Sequence, residues 1–311
     1  AALAAAWLAD HYTAPIVLMG LLIGLALSFV SQDKRTHAGL DLLSQTALRI
    51  GIVFVGARIT VDQIVAIGPL PFAALVGIML GVIVVTMASA RLFGQDRFAA
   101  LLAGGATAIC GASAALALYS LIGRDRVDQS RFTLTLVGIT LASAVAMSLY
   151  PILAVQIGLS DAQAGFLIGA SIHDVAQAIG GGFSFSPQAG ETATIVKLTR
   201  VALLAPMLTL AAMWLVHQSG GAARQRVSLR LPWFILAFLG VVAVNSLVAV
   251  PKAVTSTAAD VAQGLLLLAI VSTAMKAQLH LLLNQGWRPF APVVVATLTS
   301  FCLSLIAALT L

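Results

Sequence analysis

GGATAICGASAALA, residues 104–117, and GASIHDVAQAIGGGF, residues 169–183, are the two stretches on which the reading of this chain turns. Each breaks an apolar run with glycines and small polar residues. Gly104, Gly105, Gly111 and Ser113 interrupt the first; Gly169, Ser171, His173, Asp174 and the triplet Gly180-Gly181-Gly182 interrupt the second. In a membrane protein, two such interrupted segments in corresponding positions mark broken helices that line a binding site.

The rest of the chain supplies the membrane context. Of 311 residues, 60% are hydrophobic and 9% charged, with a mean hydropathy of +1.04, whereas a soluble domain is about half apolar and about a quarter charged. A soluble globular protein is excluded. Apolar runs approaching the roughly 20 residues of a spanning helix recur almost end to end, and they are apolar on every side, unlike the alternating strands of a barrel. The fold class expected is therefore an all-α polytopic membrane protein. The net charge of +6 sits in short loops and reads as a topology signal, with the lipid bilayer and not nucleic acid as partner. Cys110 and Cys302 lie in apolar segments and suggest neither a disulfide framework nor a metal cluster.

Ten apolar segments follow a short stub, Ala1 to Leu8, read as the remainder of a clipped first helix. They run Pro15–Val30, Ser44–Ile59, Pro71–Ala90, Phe98–Leu121, Phe132–Val155, Gly165–Phe183, Ala193–Val216, Pro232–Val250, Ala258–Leu279 and Phe290–Leu311. If all ten cross the bilayer and the loop at Asp33–Asp41 is cytoplasmic, the basic residues divide as about 10 inside and 7 outside, with Arg124, Arg126 and Arg131 on the wrong face. If the two broken segments are instead re-entrant hairpins, the division is about 13 to 4. The hairpin topology fits better, with unwound crossing helices as the alternative.

Internal echoes point the same way. Arg58, Gly68, Pro71 and Phe72 recur at a constant offset as Lys276, Gly286, Pro289 and Phe290. Gly105-Ala106-Thr107 with Ala112-Ser113-Ala114 is echoed by Gly169-Ala170-Ser171 with Ala176-Gln177-Ala178. With hairpins, the echoed elements have opposite orientations, which is an inverted-repeat transporter fold of two halves, 1–155 and 156–311.

The chemistry expected follows from residue types. At an unwound tip, Thr107, Cys110, Gly111, Ala112 and Ser113 would offer backbone amides, hydroxyls and a helix N-terminus to an anion, although small residues also serve close helix packing. His173 and Asp174 are ionisable groups in apolar surroundings, expected to face a cavity or a partner. Beside Gln177 they read as an ion-coupling pair, for protons through a histidine of reference pKa ~6.5, or for sodium. Lys197 and Arg200 in ATIVKLTR share a helix face and suit oxyanion recognition, with snorkelling anchors as the bland reading. Glu191 is expected to pair with one of them. Arg49, Arg58 and Lys276 also lie within or at the edges of apolar segments and are candidates to line a pathway, whereas Lys34, Arg35, Arg91, Arg97, Arg124, Arg126, Arg224, Arg226 and Arg230 read as loop anchors. Ser171, His173 and Asp174 are spaced wrongly for a hydrolytic relay, and no nucleotide loop follows either glycine cluster, so neither an enzyme nor a cofactor is expected.

At LRIGIVFVGARIT, AICGASAALA, IHDVAQ and ATIVKLTR the chain resembles the YeiH-type sulfate exporter family of bacterial inner-membrane proteins, over nearly its whole length. The resemblance implies a multi-pass permease, distantly similar to inverted-repeat carriers of the bile-acid and arsenite type, with sulfate or a related sulfur oxyanion as substrate. The expectation is thus a secondary transporter in the bacterial inner membrane, an exporter of a small anionic solute such as sulfate or a sulfonate. In it, Thr107, Cys110, Gly111, Ala112, Ser113, Ser171, Gln177, Lys197 and Arg200 bind substrate, and His173 and Asp174 couple to protons or Na+. A sodium-coupled carboxylate carrier is the alternative, and a homodimer is left open.

Overall fold

The computed structural model describes residues 1–12, 16–66, 68–123, 125–218, 233–248, 250–276 and 288–310. The expected segment ends Pro15, Pro232, Leu279 and Leu311, the repeat residue Gly286 and the loop arginines Arg124, Arg224, Arg226 and Arg230 fall outside them. Within the described residues the chain is helical with no strands, as composition requires of a bilayer protein whose backbone groups must be satisfied internally. Among the described residues, six helices are long and apolar enough to cross a membrane: 34–58, 69–93, 129–156, 187–217, 252–275 and 288–310.

In chain order the helices are α1 (Ala2–Tyr12), α2 (Ile16–Ala26), α3 (Lys34–Arg58), α4 (Val61–Ala66), α5 (Pro69–Ser89), α6 (Arg97–Ala108), α7 (Ala112–Ile122), α8 (Gln129–Gln156), α9 (Asp161–Ser171), α10 (Val175–Phe185), α11 (Pro187–Ala202), α12 (Leu204–Gln218), α13 (Trp233–Leu247), α14 (Lys252–Met275) and α15 (Ala291–Thr310). Two packing groups emerge. α14 lies against α2 and α3, with α1 and α13 beside them, while α5 to α11 and α15 pack on one another; α10 touches α14 and α2 across the divide.

Both interrupted segments double back. Arg126, just beyond α7, lies over the Phe98 ring at the start of α6, 5.0 Å from its centroid, so α6 and α7 open at the same level. Ser186, just beyond α10, donates a hydrogen bond to Asp161 at the start of α9, at 2.5 Å. Arms of 12, 11, 11 and 11 residues are about 16 to 18 Å long at helical rise, enough to reach mid-membrane and return. Between the hairpins lies α8, 28 residues long, or about 42 Å, which places the two mouths at opposite ends of a spanning helix. Both segments thus have the doubled-back shape of the hairpins that charge counting favoured.

Side chains set most of these helix starts. Asp96, Asp128, Ser160, Asp174 and Ser186 each accept a backbone N–H in the first turn of the helix that follows, a contribution of about 1 kcal/mol apiece. α7 differs: it starts on Gly111, which has no side chain to offer.

One expectation is corrected. Ser113 and Ser171 lie within their helices, and Gly104, Gly105, Gly169 and Gly180–Gly182 do not interrupt theirs; the breaks are confined to 109–111 and 172–174. These glycines lie where helices approach closely. A Cβ on Gly169 would come 2.7 Å from the Ala193 carbonyl oxygen, and one on Gly182 would come 2.7 Å from the Ala193 Cβ, so α11 is wedged against both arms of the second hairpin. Gly169→Ala is expected to lower the melting temperature in detergent by overpacking, at a cost of about 1 to 3 kcal/mol. Gly264→Ala, on an open face of α14 with nothing within 4 Å, is expected to leave it unchanged or raise it through helix propensity. Thermal unfolding of the two variants side by side checks this.

Candidate functional site

The breaks expose a problem that the fold has to solve. Where α6 and α9 stop in the interior, their last carbonyls have no intrahelical donors, and each end carries about half a negative charge. The two tips also meet directly: a Cβ on Gly111 would lie 3.7 Å from the carbonyl carbon and oxygen of His173. An unscreened meeting of two such ends would be repulsive.

α11 supplies the answer from a single face. The Lys197 ammonium donates to the carbonyls of Ile109 (3.1 Å), Ile172 (2.8 Å) and His173 (2.6 Å). The Arg200 guanidinium donates from Nε to Ala108 (3.0 Å), from one terminal nitrogen to Gly169 (3.2 Å), Ala170 (2.6 Å) and Ile172 (3.2 Å), and from the other to Thr107 (2.7 Å). Both side chains are buried, at 0% and 1% exposure. The spacing in ATIVKLTR correctly put them on one face, but their donors are turned onto main-chain carbonyls of both hairpins. The close approach of Gly169 to α11 brings that face within reach.

The loop 109–111 is held by the Gly111 N–H on the Ala106 carbonyl at 2.8 Å, with Gly111 at φ +70°, a backbone conformation that favours glycine. Cys110 is buried in this tip, whereas Ala112 and Ser113 are exposed. At the second tip Asp174, partly buried, accepts the Gln177 N–H at 3.0 Å, and its own N–H reaches Ser143 Oγ at 3.0 Å. His173 is fully buried, its Nε2 2.8 Å from Thr297 Oγ1. Ser171 donates to the Leu167 carbonyl, so Ser171, His173 and Asp174 each engage a different partner and form no relay. Glu191 pairs with Arg58 at 3.2 Å.

Several polar atoms at this junction are buried without a partner among the described residues: Thr107 Oγ1, His173 Nδ1, and both Gln177 Oε1 and Nε2. Each lies within one helical turn of a tip. A buried polar group left unsatisfied costs about 1 to 3 kcal/mol, and such groups usually find water, an ion or a ligand. A cavity of about 120 Å³ lies away from the tips, at Phe72, Leu75, Phe166, Val196 and Thr199. No group of three or more metal-ligating side chains occurs among the described residues.

Sequence reasoning missed Ser143, Thr297 and Ser300, the last lying 3.4 to 3.5 Å from the carbonyls of Ser171 and Ala170. Helical hydroxyls mostly bond their own preceding turn, so their types carried no signal. Replacing Lys197 by Met is expected to deprive the Ile109 and His173 carbonyls of their cationic donor, Ile172 keeping Arg200, and to destabilise by roughly 3 kcal/mol or more, read as a lowered melting temperature and loss of a monodisperse gel-filtration peak. Arg200→Lys, which cannot span both hairpins with one planar fork, is expected to fall between wild type and Arg200→Met.

A family model described as "Conserved hypothetical protein 698" matches residues 1–292. The UPF0324 membrane protein TauZ of Paracoccus pantotrophus is 40% identical over 299 residues, covering 94% of this chain and 87% of the relative. The UPF0324 membrane protein RB0971 of Rhizobium meliloti (strain 1021) is 40% identical over 299 residues, 96% and 86% respectively. The UPF0324 membrane protein CT0845 of Chlorobaculum tepidum is 39% identical over 300 residues, 95% and 83%. These descriptions name membrane proteins and no substrate. No solved structure matches significantly.

Proposed function

The chain belongs to the conserved hypothetical protein 698 family of UPF0324 membrane proteins, and from that premise and the hairpin junction we propose that it is a secondary transporter of a small oxyanion, sulfate or a sulfonate, coupled to protons. The observation that carries the reading is the set of unpartnered buried polar atoms at Thr107, His173 and Gln177, beside two buried cations and the uncapped start of α7. Opposed hairpins with half-helix ends at mid-membrane are the arrangement by which secondary carriers build a site and alternate access to it, and they support the inverted-repeat reading of the echoes.

Charge bookkeeping favours an anion with a proton. The two C-terminal helix ends, of α6 and α9, and the two N-terminal ends, of α7 and α10, cancel at about half a charge each. Lys197, Arg200 and an ionised Asp174 then sum to one positive charge, and protonation of the His173–Asp174 pair makes it two, matching divalent sulfate, with one positive charge in excess for a monovalent sulfonate. Anion and proton travel together in this scheme, and net export follows wherever the outward gradient of the solute exceeds the inward proton gradient. Gly111, Ala112 and Ser113 supply amides and a hydroxyl, Cys110 and Ser171 shape the tips, and Thr107 and Gln177 contact the substrate. Lys197 and Arg200 contribute positive potential through the carbonyls they hold. By the positive-inside rule, the mouth carrying Arg97, Arg126 and Arg131 faces the cytoplasm, in a bacterial inner membrane.

A ligand screen tests this. Sulfate or a sulfonate is expected to raise the melting temperature of the purified protein, by an amount corresponding to about 2.7 kcal/mol at a hundred times Kd, with no requirement for sodium. Stabilisation by carboxylates only in the presence of sodium would replace it with the sodium-coupled alternative. In proteoliposomes Asp174→Asn is expected to keep the fold but lose proton-driven flux; unchanged proton-driven flux removes Asp174 from the coupling role.

A further inference from the structure

We propose that Thr297 is a positioning residue that holds His173 in the Nε2–H tautomer, leaving Nδ1 as the bare atom on which the coupling proton lands. The proton inventory of one short chain of contacts carries this. Thr297 Oγ1 lies 2.7 Å from the Val293 carbonyl, one turn back on α15, and 2.8 Å from His173 Nε2. A carbonyl oxygen only accepts, and a hydroxyl has one hydrogen, so Thr297 serves Val293 or His173 Nε2 as donor and not both. With that hydrogen in the back-bond to Val293, the hydroxyl oxygen is left to accept and Nε2 is the donor. A neutral imidazole with its hydrogen on Nε2 has a lone pair on Nδ1, and Nδ1 is a buried atom with no partner among the described residues.

The surroundings explain why that matters. Around the ring stand Lys197 and Arg200 from α11, both engaged with carbonyls, Asp174 next along its own segment capping α10, and Cys110 in the facing tip. α8 contributes the Ser143 hydroxyl and α15 those of Thr297 and Ser300, and the Ser171 carbonyl by the ring is an acceptor that favours a hydrogen on the nitrogen it faces. A bare Nδ1 gives an anion nothing to bond. Taking up a proton, it turns from acceptor to donor and adds one positive charge to the centre, while Nε2–H keeps its bond to Thr297, so the ring changes charge without changing its anchor. The tautomer assignment stands on geometry alone; the coupling role rests on the transport reading above.

The test is nitrogen-15 solid-state NMR of histidine-labelled protein in lipid bilayers, with His173→Gln used to assign its signals among the five histidines. At alkaline pH the neutral ring is expected to show a protonated Nε2 and an unprotonated Nδ1. Thr297→Val is expected to lose that single-tautomer signature, and Thr297→Ser to keep it. With sulfate as the probe, the pH midpoint of its stabilising effect is expected to fall by roughly one unit in Thr297→Val, because the imidazolium loses its acceptor, and to stay in place in Thr297→Ser. A protonated Nδ1 in the wild-type neutral ring overturns the assignment, and a signature unchanged in Thr297→Val overturns the role of Thr297. Should Thr297→Val fail to fold, the wild-type spectrum decides the tautomer and Thr297→Ala, which also lacks the hydroxyl, is read in place of Thr297→Val for the role of Thr297. Should sulfate and sulfonates leave the wild type unaffected while the tautomer is as expected, the transport reading fails and the tautomer assignment survives.

Discussion

Two cations on one face of α11 make the architecture workable. Lys197 and Arg200 form eight hydrogen bonds to seven carbonyls drawn from two separate hairpins. Burying an unpaired cation is costly, and so is burying the carbonyl end of a helix without donors. Placed together, the two costs largely cancel, since charge-assisted hydrogen bonds in a poorly screened interior are stronger than those in water. The consequence is mechanical. The tips of α6 and α9 are fastened to a third helix, and whatever moves that helix moves both tips.

This fastening also explains the distribution of small residues. Gly165 and Gly169 on α9 and Gly182 on α10 face the Ala189–Val196 stretch of α11 at distances that leave no room for a methyl group, and Gly105 faces Leu118 within the first hairpin. A longer side chain at any of these points would hold α11 away from the tips and put the carbonyls beyond the reach of its cations. Close packing and the polar site are one requirement in this molecule.

The sequence made much of this legible for identifiable reasons. Composition alone settles the helical membrane class. The hairpins were readable because Arg124, Arg126 and Arg131 could not sit comfortably with two crossing segments, and Arg126 over Phe98 now shows the same doubling back. The partners of the site residues were not readable. Nothing in ATIVKLTR distinguishes a lysine aimed at a solute from one aimed at carbonyls, because main-chain acceptors leave no residue type behind. Glycines were over-read as breaks, since in apolar surroundings a glycine that ends a helix and one that admits a neighbour look alike. Thr297 and Ser143 were invisible because their role is tertiary.

The account depends most on two hairpins that enter from opposite faces and meet at the α11 cations. Thiol labelling from either side of oriented vesicles addresses it directly, using single cysteines at Arg126 and at Ser160 in a background with Cys110 and Cys302 replaced by Ser. A membrane-impermeant reagent is predicted to reach position 126 from one face only and position 160 from the other face only. Labelling of both positions from the same face would contradict the opposed hairpins and, with them, the junction on which the function rests.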